Sequence, residues 1–273
     1  MNVLSLFDGM SCGQIALNRV GIEINNYFAS EIDKNAIKIT QKNYPETIQL
    51  GDVTKIKVDK LPKIDLLIGG SPCQGFSFAG KQLNFEDERS KLFFEYVRIL
   101  KELQKINPEI KFLLENVKMK KLYQNIISEF LKVEPIEINS NLVSAQNRKR
   151  LYWTNIENVQ QPEDKNIKLK DILWVDKIGD LTDEYIQKKQ NQKRWGNHFG
   201  TIETEKSNTL LAIGKFDTIL LTDLKRYLTP LECERLQTLP HFYTDCVSEG
   251  QRYRAIGNGW TVDVIAHIFK NLK

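Results

Sequence analysis

Cysteine and histidine are both scarce in this sequence, with four and three copies among 273 residues. The cysteines stand at Cys12, Cys73, Cys233 and Cys246, and no two of them form the C-x-x-C pair that is typical of structural zinc sites. No metal site is therefore predicted. In a cytosolic chain, scattered cysteines are expected to be reduced thiols, each buried as a small apolar residue unless it has a chemical role.

Long apolar runs are also absent. Runs such as Leu66-Leu67-Ile68 are far too short to span a bilayer. The N-terminus lacks a basic segment and reaches an acid at Asp8, which is not the pattern of a signal peptide. Hydrophobic residues make up 41% and charged residues 27%, which excludes disorder, collagen and coiled-coil arrays as the main content. We expect a cytoplasmic protein with one large α/β domain, or a core domain with a smaller appendage.

A strong charge of either sign is missing as well, since the net charge is +4. This mildly basic balance permits a nucleic-acid partner without requiring one. Basic residues cluster at residues 118–121, 147–150 and 188–194. For any one of these clusters, a solvated surface is the default interpretation.

The first half of the chain alternates short apolar runs with helical patterns. Strands are predicted at residues 3–6, 27–30, 64–68 and 112–114, and helices at residues 33–42, capped by Asp33, and 92–103. This alternation indicates βαβ units and a mostly parallel sheet, in which ligands bind beyond the carboxyl ends of the strands. Asp8, Glu31, Cys73 and Glu115 all follow predicted strands, and this shared placement is the first functional signal.

Two acidic residues suggest a ligand that contains a nucleoside. The loop at residues 7–13 joins a strand to a helix and contains glycine, which lets the backbone approach a ligand. Glu31 lies about 20 residues further on, where an acid binds ribose hydroxyls. Asp52 follows the next strand and suits an exocyclic amine. The alternative, an ordinary α/β turn with acids on the surface, stays open at this point.

A cysteine stands where a nucleophile would be presented. Cys73 follows Pro72, whose ring fixes the backbone, on a turn between a strand and a loop. A thiolate is a strong nucleophile where the local field lowers its pKa. The long polar stretch at residues 74–91 has the composition of a lid.

Six motifs stand in order along the chain. They are residues 7–13, residues 71–94, Glu115-Asn116-Val117, Gln146-Asn147-Arg148-Lys149-Arg150, residues 226–236 and Gly257-Asn258-Gly259-Trp260. Together they resemble the motifs of DNA (cytosine-5) methyltransferases, and they span nearly the whole chain. The catalytic loop is similar to that of bacterial and phage enzymes, whereas the first loop and Trp260 are similar to those of the animal de novo enzymes.

The resemblance implies the Rossmann-like α/β fold of S-adenosylmethionine-dependent methyltransferases, a mostly parallel twisted sheet with helices on both faces. Residues 1–156 and 245–273 would form the catalytic and cofactor-binding domain. Residues 157–244 would form a small target-recognition domain, polar and irregular, with a weak strand at residues 209–213 and an organising helix at its end. Helices are predicted at residues 230–239 and 262–269.

The resemblance also implies a reaction. A methyl group would pass from S-adenosyl-L-methionine to C5 of a flipped-out cytosine in a specific duplex DNA sequence, through a covalent cysteine adduct. Cys73 would be the nucleophile and Glu115 would face ring N3 and the exocyclic amine. Arg150 would contact O2, and Arg148 would support the motif. These are the predicted catalytic residues: Cys73, Glu115, Arg148 and Arg150.

The same resemblance assigns the binding residues. The cofactor would contact Phe7, Asp8, Gly9, Gly13, Glu31, Ile32, Asp52, Val53, Pro72, Leu92, Asn258, Gly259 and Trp260. DNA would contact Gln74, Ser77, Arg194 and Thr209. Arg194 lies in a basic, acid-free run that suits base readout, with a solvated loop as the alternative. Glu232 and Arg235 are interpreted as structural.

Three interpretations of substrate and activity differ in the residues they require. The leading one is a monomeric enzyme acting on double-stranded DNA in a bacterial cell or phage-infected host, with a cognate restriction endonuclease, if one exists, acting separately. An RNA (tRNA) cytosine-5 methyltransferase would usually carry a Cys-Phe-Thr element, which this sequence lacks. An inactive DNA-binding relative would tend to lose the catalytic cysteine or glutamate, and both Cys73 and Glu115 are present.

Overall fold

The computed structural model describes residues 1–71, 88–174, 176, 178–183, 186–187, 199–201, 203–212 and 219–272. The chain divides into two compact units. The first unit comprises Met1–Ile138, Lys149–Gln161 and Ile265–Lys273, and the second comprises Asn139–Arg148 and Pro162–Val264. The assignment of residues 157–244 to target recognition stays a prediction, because compactness does not tell which residues read DNA. Within the described ranges, no helix has the length and apolar character needed to cross a membrane.

The first unit is built on a seven-stranded sheet. Its strands are β1 (Asn2–Leu6), β2 (Asn26–Ser30), β3 (Ile48–Gln49), β4 (Leu66–Gly70), β5 (Lys111–Val117), β6 (Ile136–Asn139) and β7 (Lys149–Thr154). Their order across the sheet is β3-β2-β1-β4-β5-β7-β6. The first five strands pair in parallel, whereas β7 pairs antiparallel with β5. The predicted Rossmann-like α/β fold is confirmed.

The helices follow the predicted pattern with two additions. They are α1 (Cys12–Arg19), α2 (Lys34–Asn43), α3 (Glu88–Ile106), α4 (Lys121–Leu131), α5 (Pro230–Leu236), α6 (Glu249–Asn258) and α7 (Val262–Phe269). The predicted cap is present, since the Asp33 carboxylate accepts the N–H groups of Asn35 at 2.8 Å and Ala36 at 3.3 Å. Helices α4 and α6 were not predicted. In α6, Gly250 and Gly257 lower the helix propensity.

Close packing beneath the sheet explains a glycine at the end of β4. Phe93 and Tyr96 of α3 are fully buried against strand residues such as Leu67. A Cβ atom on Gly69 would lie 3.0 Å from the carbonyl oxygen of Leu6 and 3.1 Å from the Tyr96 ring. A side chain at this position would force β1 or the Tyr96 ring to shift by a few tenths of an ångström.

The prediction is wrong for the end of β5 and for the strand expected at residues 209–213. Strand β5 does not end before Glu115 but continues to Val117, because β7 pairs with Glu115, Asn116 and Val117. Residues 209–212 do not form the predicted strand, and the nearest ladder contact is a single parallel bridge between Gln146 and Ser207. In both cases the pairing partner, or its absence, lies far away in sequence.

The second unit contains a small three-stranded sheet and a buried ion pair. Its strands are β8 (Phe199–Gly200), β9 (Leu220–Leu221) and β10 (Arg226–Tyr227), in the order β10-β9-β8. The Arg226 guanidinium bonds both carboxylate oxygens of Glu232 at 2.8 Å. Burial alone would raise the pKa of Glu232, but Arg226 and the N–H groups of Thr229 and Trp174 hold it below its ordinary value. Glu232 is structural, as predicted.

Candidate active site

A cleft lies at the carboxyl ends of β1 and β2 in the first unit. Its volume is about 200 Å³, and it is lined by Phe7, Ser30, Glu31, Ile32, Gly51, Asp52, Val53 and Leu92. Six of these eight were predicted to bind the cofactor; Ser30 and Gly51 were not. Their signal is weak in sequence, since neither carries a charge. In the structure the Ser30 hydroxyl donates to the Gly51 carbonyl at 2.7 Å and so joins the two turns.

Glu31 is held in one orientation by backbone amides. One carboxylate oxygen accepts the N–H groups of Ile32 at 2.7 Å and Asp33 at 2.8 Å. The other accepts the N–H of Gly9 at 2.8 Å. A carboxylate has about four lone-pair sites, so these three bonds leave capacity for a hydroxyl group. Gly9, predicted to touch the cofactor, thus fixes the acid at the cleft.

Asp52 has a different local environment from Glu31. One of its oxygens accepts the N–H of Thr54 at 3.0 Å and its hydroxyl at 2.8 Å, as the cap of a short helix. The backbone bond from Thr54, with its hydroxyl bond, lowers the pKa of Asp52. The second oxygen lies 3.8 Å from the Lys55 ammonium at a partly exposed position. This oxygen is placed to accept a hydrogen bond from a ligand amine.

The apolar part of the cleft is supplied by side chains around these acids. Ile32 exposes 74% of its surface, which is high for a large aliphatic residue. Phe7 has a left-handed backbone with φ of 56°. This conformation is unusual for a residue with a bulky side chain and needs support from its surroundings. An aromatic and an aliphatic side chain beside two carboxylates suit a planar base attached to a hydroxylated sugar.

Asp8 supports the loop and does not line the cleft. Its carboxylate accepts hydrogen bonds from the Tyr27 hydroxyl at 2.9 Å and from the Ser11 hydroxyl. The residue is partly exposed, but its carboxyl group is enclosed. Burial raises the pKa of Asp8 to about 6, against the opposing hydrogen bonds. Gly13, also predicted for the cofactor, lies buried in the first turn of α1 and outside the cleft lining.

Glu115 and Arg150 form an ion pair across two antiparallel strands. The guanidinium Nε lies 3.0 Å from a Glu115 oxygen, and the side chains are only 11% and 14% exposed. Because Val117 pairs with Arg150 in the ladder, Glu115 is its diagonal neighbour, within reach of a long side chain. The sequence placed both residues in motifs, but only the β5–β7 pairing brings them together.

Asn116 was not singled out as a site residue, although it lies beside Glu115 in the same motif. Its amide donates to the carbonyl oxygen of Ser71 at 3.3 Å and to the Ser71 hydroxyl at 3.2 Å. Ser71 is the residue before Pro72 and Cys73. Asn116 therefore holds the end of the β4 strand against β5, directly before the predicted nucleophile.

Several predicted residues lie outside the described part of the chain. They are Pro72, Cys73, Gln74, Ser77 and Arg194. Their roles stay predictions. Of the other cysteines, Cys12 and Cys233 are buried as expected, whereas Cys246 is partly exposed.

The remaining predicted residues belong to the second unit. Arg148 is 4% exposed, and its guanidinium donates to backbone carbonyl oxygens of that unit. The Thr209 hydroxyl donates to the carbonyl oxygen of Asn147 at 2.7 Å, so it would have to redirect its proton to bind a phosphate. Asn258 is exposed at the end of α6, Gly259 is buried and Trp260 is partly buried.

Comparison with known proteins gives one consistent family. A model of the C-5 cytosine-specific DNA methylases matches residues 1–223 and 203–273. A type II methyltransferase of Lactococcus lactis subsp. cremoris is 32% identical over 306 residues, covering 99% of this chain and 77% of that protein. One from Dactylococcopsis salina is 30% identical over 311 residues, covering 100% and 86%. The Entamoeba histolytica methyltransferase EhMeth has a similar fold, with a TM-score of 0.78 at 21% identity over 100% of this chain and 99% of that one.

The raised pKa of Asp8 leads to a specific pH dependence of stability. The pKa of the Asp8 carboxyl is higher in the folded protein than its unfolded value of 3.8, so its contribution to stability is fully present below pH 3.8. This contribution is lost as the pH rises through about 6. We expect the wild type to lose up to about 3 kcal/mol of unfolding free energy from this group between about pH 4 and pH 7. Asp8→Asn should lose none of it. Urea denaturation across this range measures the difference.

Asp52→Asn is the control, because the contribution of Asp52 to stability changes with pH in the opposite direction to that of Asp8. The native pKa of Asp52 is lowered, so its contribution to stability is present above its unfolded value and is lost as pH falls. If Asp8→Asn shows the same pH slope as the wild type, the carboxyl is not enclosed as described.

Proposed function

Because the chain belongs to the C-5 cytosine-specific DNA methylase family, we propose that it methylates C5 of a flipped-out cytosine in duplex DNA, with S-adenosyl-L-methionine as methyl donor. The enzyme is a DNA cytosine-5 methyltransferase. Its donor, the extrusion of the base, the covalent adduct and the residue roles are the proposal. A cytosine inside a duplex is inaccessible to the enzyme, so the base has to leave the stack before reaction.

The Glu115–Arg150 pair is the observation that carries this proposal. It presents a carboxylate and a guanidinium side by side, with 3.0 Å between Nε and the nearest oxygen. The pairing edge of cytosine offers an amine donor and N3 beside the O2 acceptor. A carboxyl group suits the first two and a guanidinium suits the third. The ion pair therefore has the polarity that a single cytosine edge requires.

The chemistry requires a nucleophile at C6, because C5 of cytosine is too weak a nucleophile to attack a methyl group unaided. We assign this role to Cys73. Its sulfur would form a bond to C6 while N3 accepts a proton or strong hydrogen bond from Glu115, giving an enamine whose C5 carbon can react. Methyl transfer would release S-adenosylhomocysteine. Loss of the C5 proton to water, return of the N3 proton to Glu115 and cleavage of the sulfur–C6 bond would then restore the aromatic ring and the Cys73 thiolate.

The cleft of the first unit fits the proposed donor. The free capacity of Glu31 suits ribose hydroxyls, the outer oxygen of Asp52 suits the adenine amine, and Phe7, Ile32 and Leu92 offer apolar surface to the base. When bound there, S-adenosylmethionine supplies an electrophilic methyl group on a sulfonium. Asn258, Gly259 and Trp260 are proposed to contact its amino-acid end. Gly13 and Pro72 are retained as proposed contacts only on the family resemblance.

Substrate recognition is assigned to residues 157–244, with Arg194 reading a base edge and Thr209, Gln74 and Ser77 near the DNA backbone. The support is the acid-free composition around Arg194 and the absence of catalytic motifs from this region. We propose double-stranded DNA as the substrate of a monomer, with a restriction endonuclease, where one accompanies it, acting as a separate protein.

The nucleophile is tested by removing the Cys73 thiol. Cys73→Ser should abolish methyl transfer to duplex DNA and the stable adduct with 5-fluorocytosine DNA, because a hydroxyl is a far weaker nucleophile than a thiolate. Cys246→Ser, at the partly exposed cysteine, is the matched control and should retain both. Transfer of labelled methyl groups to duplex DNA and to tRNA is measured in parallel. Undiminished turnover in Cys73→Ser, or transfer to tRNA alone, would refute the proposal.

The acid is tested by Glu115→Gln, which keeps the shape of the side chain but cannot supply a proton. We expect the single-turnover rate to fall by ~10²–10⁴-fold, the usual contribution of positioned acid–base catalysis, with little change in DNA affinity. Glu137→Gln is the control. Glu137 also forms an ion pair, with Lys118, but it is exposed and lies on the edge strand β6. Similar rates for Glu115→Gln and the control would exclude the assigned role.

The cofactor cleft is tested by Glu31→Gln. The substitution removes a charge-assisted hydrogen bond, worth roughly 1.5–3 kcal/mol, and should weaken S-adenosylhomocysteine binding about tenfold or more. Glu46→Gln, an exposed acid between α2 and β3, should bind as the wild type does. Isothermal calorimetry gives both affinities, and equal values in the two variants would place the nucleoside elsewhere.

A further inference from the structure

The side chain of Arg148 connects two separate segments of the second unit. One terminal nitrogen donates to the carbonyl oxygen of Leu210 at 3.2 Å. The other donates to the carbonyl oxygens of Gly257 at 3.1 Å and Gly259 at 3.0 Å. The side chain is almost fully buried, and hydrogen bonds from a charged donor are stronger than neutral ones. The planar fork of a guanidinium is suited to hold several acceptors in fixed positions.

The neighbours of Arg148 in the same motif hold one of those segments as well. The side-chain oxygen of Gln146 accepts the N–H of Leu210 at 3.3 Å. The carbonyl oxygen of Asn147 accepts the hydroxyl of Thr209 at 2.7 Å. Three consecutive residues of the chain thus bind both the backbone of Leu210 and the side chain of Thr209. Residues 209–212 form no strand, and these bonds set their position in place of a ladder.

A glycine brings the second segment against the first. A Cβ atom on Gly257 would lie 2.4 Å from the carbonyl oxygen of Leu211 and 2.7 Å from the N atom of Ala212. Backbone atoms cannot move away cheaply, so only glycine permits this approach. A Cβ atom on Gly250, which lies on the same helix α6, would meet nothing within 4 Å, so that position is under no such constraint.

We propose that Arg148 is a positioning residue that locks residues 209–212 to residues 257–259. The proposed DNA contact at Thr209 and the proposed cofactor contact at Asn258 are then presented by one connected piece of structure. This inference rests on the proposed function, since it assigns a ligand to each segment. Arg148 itself touches neither ligand. Its loss therefore weakens the binding of two chemically unrelated ligands.

The test is Arg148→Lys, which keeps the charge but replaces the two nitrogens of the fork, one bound to Leu210 and the other to Gly257 and Gly259, by a single ammonium nitrogen. We expect it to weaken the binding of S-adenosylhomocysteine and of an unmethylated duplex each by about fivefold or more. In turnover, KM should rise for both substrates by a larger factor than kcat falls. Partial unfolding would instead lower kcat at unchanged KM.

Two variants that should each affect one ligand only serve as controls for Arg148→Lys. Thr209→Ala should weaken only the duplex, and Asn258→Ala only S-adenosylhomocysteine. If Arg148→Lys weakens one ligand alone or neither, Arg148 does not join the two segments and the inference is overturned. If the wild type itself binds neither S-adenosylhomocysteine nor duplex DNA, the proposed function is wrong. That outcome is seen without any Arg148 variant, so it is distinguishable from failure of the inference about Arg148.

If Arg148→Lys does not fold, a second pair of variants tests whether the two segments are connected. Gly257 lies on the segment assigned to the cofactor, but a Cβ atom there would displace the backbone of Leu211 and Ala212, close to Thr209. Gly257→Ala should therefore weaken duplex binding about fivefold or more. Gly250→Ala, on the same helix, should bind duplex as the wild type does. Equal duplex affinities for the two glycine variants would overturn the inference.

Discussion

One transverse row of the parallel sheet places Glu31 and Glu115, two acids that we propose to face ligands, at the same edge of the first unit. Ser30, Leu6, Gly69 and Leu114 are direct partners across β2, β1, β4 and β5. The residues that follow them are Glu31, Phe7, Gly70 and Glu115. Because parallel strands share a direction, the chain leaves all of them at the same edge, so Glu31 of the cleft and Glu115 of the ion pair come from this one alignment.

Strand β4 lies close to its neighbours at this row. Gly69 sits where a Cβ atom would press on the Leu6 carbonyl and on the Tyr96 ring. Beyond it, Asn116 fastens Ser71 to β5. The segment that carries the proposed nucleophile therefore starts from a point fixed on both sides. This is the arrangement a covalent mechanism needs, since a thiolate must meet its carbon within a small tolerance.

Acids at equivalent strand ends take different roles because their surroundings differ. Glu31 is held by three amides and keeps capacity at the cleft, whereas Asp8 is enclosed by Tyr27 and Ser11 and has a raised pKa. Glu31 is proposed to bind the ligand, whereas Asp8 supports the loop. Both follow a strand in the sequence, so local pattern predicts a ligand contact for each. Only the direction of the side chain separates them.

The amino-acid sequence by itself determined the class of the protein, because the motifs and the alternation of strands and helices are local or ordered along the chain. The helix capped by Asp33 and most of the cleft lining are predictable in this way. Tertiary structure alone decided that Glu115 lies within a strand beside Arg150, that Arg148 binds backbone and that Thr209 faces Asn147. Each depends on a partner distant in sequence, such as β7 for β5. Periodicity and propensity report on neighbouring residues and hold no information about which remote segment supplies the partner.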